Sequence, residues 1–335
     1  MSVTIRDVAQ AAGVSPATAA RALGGYGHSS PAARRRVIES ARVLGYRPNA
    51  VARALVSRAT TTVGLVVGDI ENPFFAAAAR GLSDVMDAHG YTVLLANADE
   101  DADRERRAVD VLRARQVDGM VVVPAPGASP GHLMDLVAAG IPLVLLDRLV
   151  AGVDADSVLV RNVAGAQAAV GHLIGLGHRR VGVVSDSPEI TSSAERIDGY
   201  RRALRGAGIA VDPGLISIGG PTQADGEAAA VRLLDRADRP TAVFTANNFM
   251  TVGTLRAARA LGLRIPTDIA LVGFDDLDWT TLVQPQVTVV SQPVAELGRT
   301  AGLRLLRRLN GERGRPQRIR LEARLIVRGS CGAPA

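Results

Sequence analysis

From residue 63 onward, short apolar runs alternate with longer stretches in which apolar residues recur at helical spacing. The runs 63–67, 92–96, 120–123 and 143–146 are rich in Val and Leu and read as buried strands. The stretches between them, punctuated by Gly90, Gly119 and Gly140, read as helices. A second series, 181–184, 242–245 and 270–273, repeats the alternation. Such alternation builds a parallel sheet with helices on both faces, and two series predict two doubly wound α/β lobes.

The first sixty residues keep a different rhythm. Thr4, with Asp7 three residues on, precedes Ile5, Val8, Ala9 and Ala12, which predicts a short helix ending at Gly13. Ser15 can cap a second helix whose Ala19, Ala22 and Leu23 pack back on the first, making a helix-turn-helix. Its outer face carries Pro16, Ala17, Thr18 and Arg21, and its N-terminal end could enter a major groove. Ser30 and Pro31 open a third helix through Arg34, Arg35, Arg36 and Val37 to Leu44, stopped by Gly45.

Charge separates the two regions. Residues 1–60 hold nine Arg against Asp7 and Glu39, whereas the remainder holds 30 Arg against 31 acids. A compact basic module ahead of a near-neutral body is an electrostatic footprint for DNA phosphates. The run Arg34 to Arg36 fits either a solvated helix face or phosphate proximity. A length of 335 residues predicts two or three folded units. The chain has no lysine, which excludes a P-loop, a Schiff-base lysine and a pyridoxal site. Cys331 is the sole cysteine, so no internal disulfide or cysteine-based zinc site forms. Neither a span of about 20 apolar residues nor a signal peptide is present, which predicts a cytoplasmic protein. The histidines lack metal-ligand spacing, and adjacent carboxylates such as Asp275 and Asp276 usually point apart, so no enzyme, catalytic residue, metal or cofactor is expected.

The segments Thr4-Ile5-Arg6-Asp7-Val8-Ala9, Ala12-Gly13-Val14-Ser15, Arg21 and Leu44-Gly45-Tyr46-Arg47-Pro48-Asn49 resemble the head of the LacI/GalR (lactose-repressor) family, and the likeness continues almost to the C-terminus. The resemblance implies a dimeric bacterial repressor that binds a palindromic double-stranded operator and responds to a small metabolite. It places Thr4, Ser15 and His28 with the recognition-helix residues at the DNA. It also makes 50–55 a hinge helix capped by Asn49, in which Ala52, Arg53 and Leu55 meet DNA and Leu55 wedges into the minor groove. An apolar wedge at a flexible base step exchanges unstacking for a bend. Gly24 and Ala20 stand where relatives often have Asn and Ser. With Pro16 and Ala17 also lacking side-chain donors, Arg21 is left to carry most direct base readout.

Doubly wound sheets bind ligands at the carboxyl ends of their strands. Asp147, Asn247 and the Asp275–Asp276 pair follow predicted strands, and Arg196 opens a helix after the loop 186–193. The resemblance makes Asp147, Arg196, Asn247 and Asp275 effector contacts and adds Phe74, Phe75 and Gln292. Carboxylates, an amide and an Arg above an aromatic wall suit a sugar; a nucleobase or nucleoside stacked on Phe74 or Phe75 is the alternative. Asn248, Arg161, Pro221 and Val294 depart from the family pattern, and Arg161 would favour an acidic or phosphorylated sugar if it faced inward. An exported solute-binding protein shares such a body but not a basic helix-turn-helix.

The predicted organisation is a helix-turn-helix domain at 1–46, a hinge helix and linker at 47–60, and a two-lobed, periplasmic-binding-protein-like domain at 61–330. Lobe 1 spans about 61–160 plus 291–320, and lobe 2 about 161–290 plus 321–330. Effector binding then shifts the lobes and the spacing of two hinge segments in a homodimer. Dimer contacts are expected from helices near 75–85 and 106–115. The absence of a leucine heptad predicts no helical tetramer tail.

Overall fold

A computed structural model describes residues 3–24, 28–46, 59–127 and 129–332, and the chain divides into two units, Met1–Thr61 and Thr62–Ala335. The first unit contains α1 (Ile5–Ala12), α2 (Pro16–Gly24) and α3 (Pro31–Val43). Each start and stop has a local cause. Thr4 donates from its backbone N and from Oγ1 to Asp7 Oδ2, both at 2.8 Å, and Gly13 ends α1 with φ 62°, which glycine adopts without a Cβ penalty. Ser15 Oγ accepts from Thr18 N (3.1 Å), and Ser30 Oγ from Ala33 N (3.2 Å) ahead of Pro31. The core is small, built on Val8, Ala9, Ala12, Ala19, Ala22, Val37 and Ala41, so the helices approach closely. Arg36 Nε donates to the Ala12 carbonyl at the end of α1 (3.1 Å), which gives one member of the Arg34 to Arg36 run a structural task. The hinge residues Asn49, Ala52, Arg53 and Leu55 lie outside the described residues.

The second unit holds two six-stranded sheets. The first has the order β11-β5-β4-β3-β1-β2, all parallel, from β1 (Thr62–Val67), β2 (Thr92–Asn97), β3 (Gly119–Val122), β4 (Leu143–Leu146), β5 (Asp156–Val160) and β11 (Arg318–Leu321). Helices α4 (Pro73–Ala88), α5 (Ala102–Ala114), α6 (Gly131–Ala138) and α11 (Val294–Leu309) belong to this lobe. The second sheet runs β12-β10-β9-β8-β6-β7, from β6 (Val181–Ser185), β7 (Ile216–Ile218), β8 (Ala242–Thr245), β9 (Ala270–Phe274), β10 (Thr288–Ser291) and β12 (Arg324–Ile326), with only β12 antiparallel. Helices α7 (Asn162–Gly175), α8 (Thr191–Gly206), α9 (Gln223–Leu234) and α10 (Asn248–Ala260) accompany it. The chain passes between lobes three times, after β5, β10 and β11. Among the described residues no helix is long and apolar enough to cross a membrane.

Three details differ from the sequence reading. Gly119 lies inside β3, and the left-handed turn ahead of it is made by Gln116 at φ 56°. Arg196 sits in the second turn of α8 instead of at its start, because the helix already begins at Thr191. Strands β5, β7, β10, β11 and β12 lie beyond the seven apolar runs.

Helices within each lobe meet at glycines. A Cβ on Gly298 of α11 would lie 1.9 Å from the Ala78 carbonyl oxygen of α4, and one on Gly81 would lie 2.1 Å from that of Ala295. Gly199 does the same between α8 and α7 (2.4 Å, Val163 O), and Gly253 between α10 and α9 (2.3 Å, Glu227 N). A Gly298→Val substitution should cost about 1–3 kcal/mol of unfolding free energy by overpacking, read by denaturant unfolding, while Gly90→Ala, with open space around it, should cost only its left-handed φ of 77°.

Candidate functional site

In the N-terminal unit, Ser15, Pro16, Ala17 and Arg21 are exposed along the start of α2, and His28 is exposed beyond its end. Arg21 reaches back along its own helix, donating from Nε to the Ala17 carbonyl (3.3 Å) and from Nη2 to Thr18 Oγ1 (3.4 Å). Arg21, His28, Arg34 and Arg35 border one groove with Ser29, Pro31 and Ile38. Thr4 has its hydroxyl proton engaged by Asp7. The face therefore offers three guanidinium groups around a shallow concavity, which is phosphate-binding chemistry.

The second unit holds a cavity between its lobes that is partly open to solvent. Phe74, Phe75, Asp147, Arg196, Asn247, Asp275 and Gln292 all line it, so the structure brings these sequence candidates together. Asn72 and the phenylalanines come from the start of α4, where Asn72 Oδ1 caps the helix by accepting from Phe74 N (3.1 Å). The two rings meet edge to face at 5.2 Å and form an apolar wall. Asp147 follows β4 and Asp275 follows β9, at matching places in the two sheets. Both have left-handed backbones, φ 65° and φ 80°, and each N–H bonds to the neighbouring strand, at Val158 O and Val290 O (2.9 Å each). Asp tolerates this region better than most residues, but it remains strained, and such strain concentrates at functional sites.

Hydrogen bonds fix the remaining groups. Arg196, 4% exposed, donates to Asn162 Oδ1 (2.9 Å) and to the Ala246 carbonyl (2.7 Å), and its guanidinium lies 3.9 Å over the Phe274 ring. Asp275 accepts from Asn248 N (3.0 Å), Asn248 Nδ2 (3.2 Å) and Gln292 Nε2. Asn247 Oδ1 caps α10 at Met250 N (2.9 Å) while Nδ2 donates to Asp186 (2.8 Å). Bonds that span the lobes at the cleft include Asn248 Nδ2 to Asn72 Oδ1 (3.0 Å), Ser192 Oγ to Asp147 Oδ2 (3.3 Å) and Leu149 N to Thr191 Oγ1 (2.9 Å).

Sequence reasoning missed Asp69, Glu100, Arg148, Asp186, Ser192 and Phe249, which also line the cavity. Glu100 and Asp186 lie just beyond strand ends, as Asp147 does, so the same rule could have found them. Arg148 is clamped by both oxygens of Glu100 and donates to the Pro124 carbonyl (3.0 Å). Two sequence candidates fall elsewhere. Asp276 turns away to pair with Arg328 (2.7 Å), and Arg161 is 54% exposed and paired with Glu322 (2.6 Å), so Arg161 brings no positive charge to the cavity.

The lining carries five carboxylates, Asp69, Glu100, Asp147, Asp186 and Asp275, against the guanidiniums of Arg148 and Arg196. Burial raises the pKa of Asp147 and Asp186 above the ordinary carboxylate value, with Arg196 and Arg148 only partly offsetting it. Burial also opposes ionisation of Arg148, yet Glu100 and Asp147 win and hold its pKa above the usual value. Asp147 Oδ1 and Arg148 Nε, both buried, have no hydrogen-bond partner among the described residues. A raised carboxyl pKa contributes stability that is fully present below its unfolded value and is lost as pH rises through the folded one. Asp147's own contribution to the melting temperature of the ligand-free protein should therefore fall as pH climbs above the ordinary carboxylate range, and Asp147→Asn should remove that part of the pH dependence and raise the melting temperature at neutral pH.

The profile of bacterial regulatory proteins of the lacI family matches residues 4–49, and that of a periplasmic binding protein-like domain matches 170–331. Catabolite control protein A of Priestia megaterium is 35% identical over 98% of this chain and 99% of its own length. The regulator CelR of Thermobifida fusca is 36% identical over 98% of both. A solved CelR–cellobiose complex is 34% identical with a TM-score of 0.75, covering 98% of this chain and 99% of that one. The lac repressor dimer, bound to operator and the anti-inducer ONPF, is 26% identical with a TM-score of 0.88, covering 99% of this chain and 100% of that one. With a helix-turn-helix followed by a two-lobed α/β body, and relatives of this identity along its whole length, the chain belongs to the LacI family of DNA-binding transcription regulators.

Proposed function

We propose that this regulator acts as a cytoplasmic repressor, binding a palindromic operator as a homodimer, and that its interlobe cleft takes an uncharged sugar as effector. The observation that carries the ligand reading is the lining itself: hydrogen-bonding groups from both lobes surround a phenylalanine wall, and carboxylates outnumber guanidiniums five to two. Hydroxyls can donate to carboxylates and accept from amides and guanidiniums, while a sugar's apolar ring face packs on Phe74 or Phe75. A phosphate or carboxylate would enter against that net negative charge. The CelR relative's complex with cellobiose supports the same class.

At the DNA, Arg21 on the exposed face of α2 supplies bidentate readout, and Leu55 of the hinge segment supplies the minor-groove wedge. Sugar binding favours one arrangement of the lobes, which alters the spacing of the two hinge segments across the dimer. Lobe 1 supplies the dimer contacts, through helices near 75–85 and 106–115.

Melting the full chain with D-ribose, D-galactose, cellobiose, glucose 6-phosphate, gluconate and adenosine tests the ligand class. A neutral sugar should raise the melting temperature, by about 2.7 kcal/mol of stabilisation at a hundred times its Kd, and the two anions should not. Stabilisation by the anions alone would reject the charge argument, and by adenosine alone would transfer the cleft to nucleosides. Asp275→Ala should weaken binding of the sugar tenfold or more, about 1.4 kcal/mol, with operator affinity kept; Leu55→Gly should do the opposite, and Arg21→Ala should cost about 1–3 kcal/mol of operator discrimination. Isothermal titration and operator gel shifts read these effects, and equal loss of both activities in each variant would overturn the division of labour.

A further inference from the structure

Asn162, the first residue of α7, lies just past the first passage between lobes and is bonded on both sides. Its Nδ2 donates to Glu195 Oε2 (3.0 Å), and its Oδ1 accepts from Arg196 Nε (2.9 Å). Glu195 and Arg196 are neighbours on α8, but Arg196 lines the cavity and Glu195 does not. Glu195 instead accepts from Arg320, Nη2 to Oε1 at 2.8 Å and Nη1 to Oε2 at 3.2 Å. Arg320 belongs to β11 of the first sheet, and its Nη1 also reaches the Val160 carbonyl at the end of β5 (3.4 Å). At the other end, Arg196 Nη2 approaches Gln292 Oε1 (3.5 Å), and Gln292 donates to Asp275. A continuous polar chain, Arg320–Glu195–Asn162–Arg196–Gln292–Asp275, thus links lobe 1, the passages between lobes and the floor of the cleft.

We propose that Glu195 is a positioning residue that couples occupancy of the cleft to lobe 1. The proposal rests on the reading of that cleft as the effector site. The two halves of the Glu195–Arg320 pair are carried by different lobes, so rotation of one lobe against the other must shear it. Hydrogen bonds weaken steeply once distance and angle depart from their narrow optimum, so a displacement of an ångström or two suffices to break it. Both groups are about a quarter to a third exposed, which leaves room for water to take over when the pair opens. The pair is therefore an element with two states, made in the arrangement seen here and broken in another. A ligand that fixes Arg196 also fixes Asn162 and Glu195, and so biases which state lobe 1 meets.

The test uses the full chain with E195Q, R320Q and both together. Nitroxide labels on Asp103→Cys in α5 and Ala224→Cys in α9, both exposed, report the distance between lobes by pulsed EPR, with labelled chain diluted in unlabelled chain and buried Cys331 left in place. Each substitution should add the same second distance population to the parent's, and the double variant should add no more. Operator affinity measured with and without cellobiose, and with and without D-ribose, should lose about five-fold or more of its sugar response in both single variants, the low end of ordinary allosteric coupling. Distributions identical to the parent in both variants would overturn the coupling, as would a change in E195Q that R320Q does not share, since Glu195 would then act only within lobe 2. If operator binding by the parent responds to neither sugar, the effector reading fails, and the distance distributions decide the coupling alone.

Discussion

The cleft depends on two backbone positions held where they do not want to be. Asp147 and Asp275 adopt left-handed conformations at the ends of β4 and β9, and each is locked by one N–H bonded to the next strand. Residues in such conformations cost on the order of 1–3 kcal/mol unless their surroundings over-determine them. Here the surroundings are buried strands in the interior of two sheets. The same solution in both lobes points two carboxylates into one space from opposite sides, and the remaining lining is arranged around them.

Rigid lobes follow from how the helices pack. Gly81 and Gly298, and likewise Gly199 and Gly253, let helix backbones touch, with no side chain between them to yield. A close-packed interior transmits displacement instead of absorbing it. Relative motion is therefore concentrated at the three passages between lobes, where Asn162, Gln292 and the end of β11 lie. The cleft's polar residues and the passages share these elements, so ligand contacts and lobe orientation are mechanically inseparable.

Much of this was legible in the sequence, for identifiable reasons. The seven apolar runs read as strands because parallel strands buried on both faces need apolar residues throughout. Strand β11 alternates Arg with Ile319 and Leu321, and β12 begins with Arg; both are edge strands, half open to solvent, and carry no such run. Strand β7 has only three residues, and β5 starts with Asp156 and Ser157, whose polar groups are buried by pairing: Asp156 with Arg304 and Arg308. Capping explains why the helix starts at Thr4, Ser15 and Ser30 could be read locally. The cleft candidates after strands were readable from position alone. What position alone does not signal is the clamp between Arg148 and Glu100, because it joins residues 48 apart and nothing in either neighbourhood points to the other.

The order in which the chain is laid down adds a further consequence. Lobe 1 is not contiguous: its edge strand β11 and the helix α11, which packs on α4 and on β3, β4 and β5, come from residues 294–321, after nearly all of lobe 2. During synthesis, the first five strands emerge with part of one sheet face bare and the β5 edge unpaired. That surface stays exposed while more than a hundred residues of lobe 2 are made, and lobe 2 in turn waits for its own edge strand β12 and for Cys331 of its core, which follow β11. The N-terminal lobe is then completed from its C-terminal end, and the nascent chain carries a sticky half-lobe that must wait for its last helix.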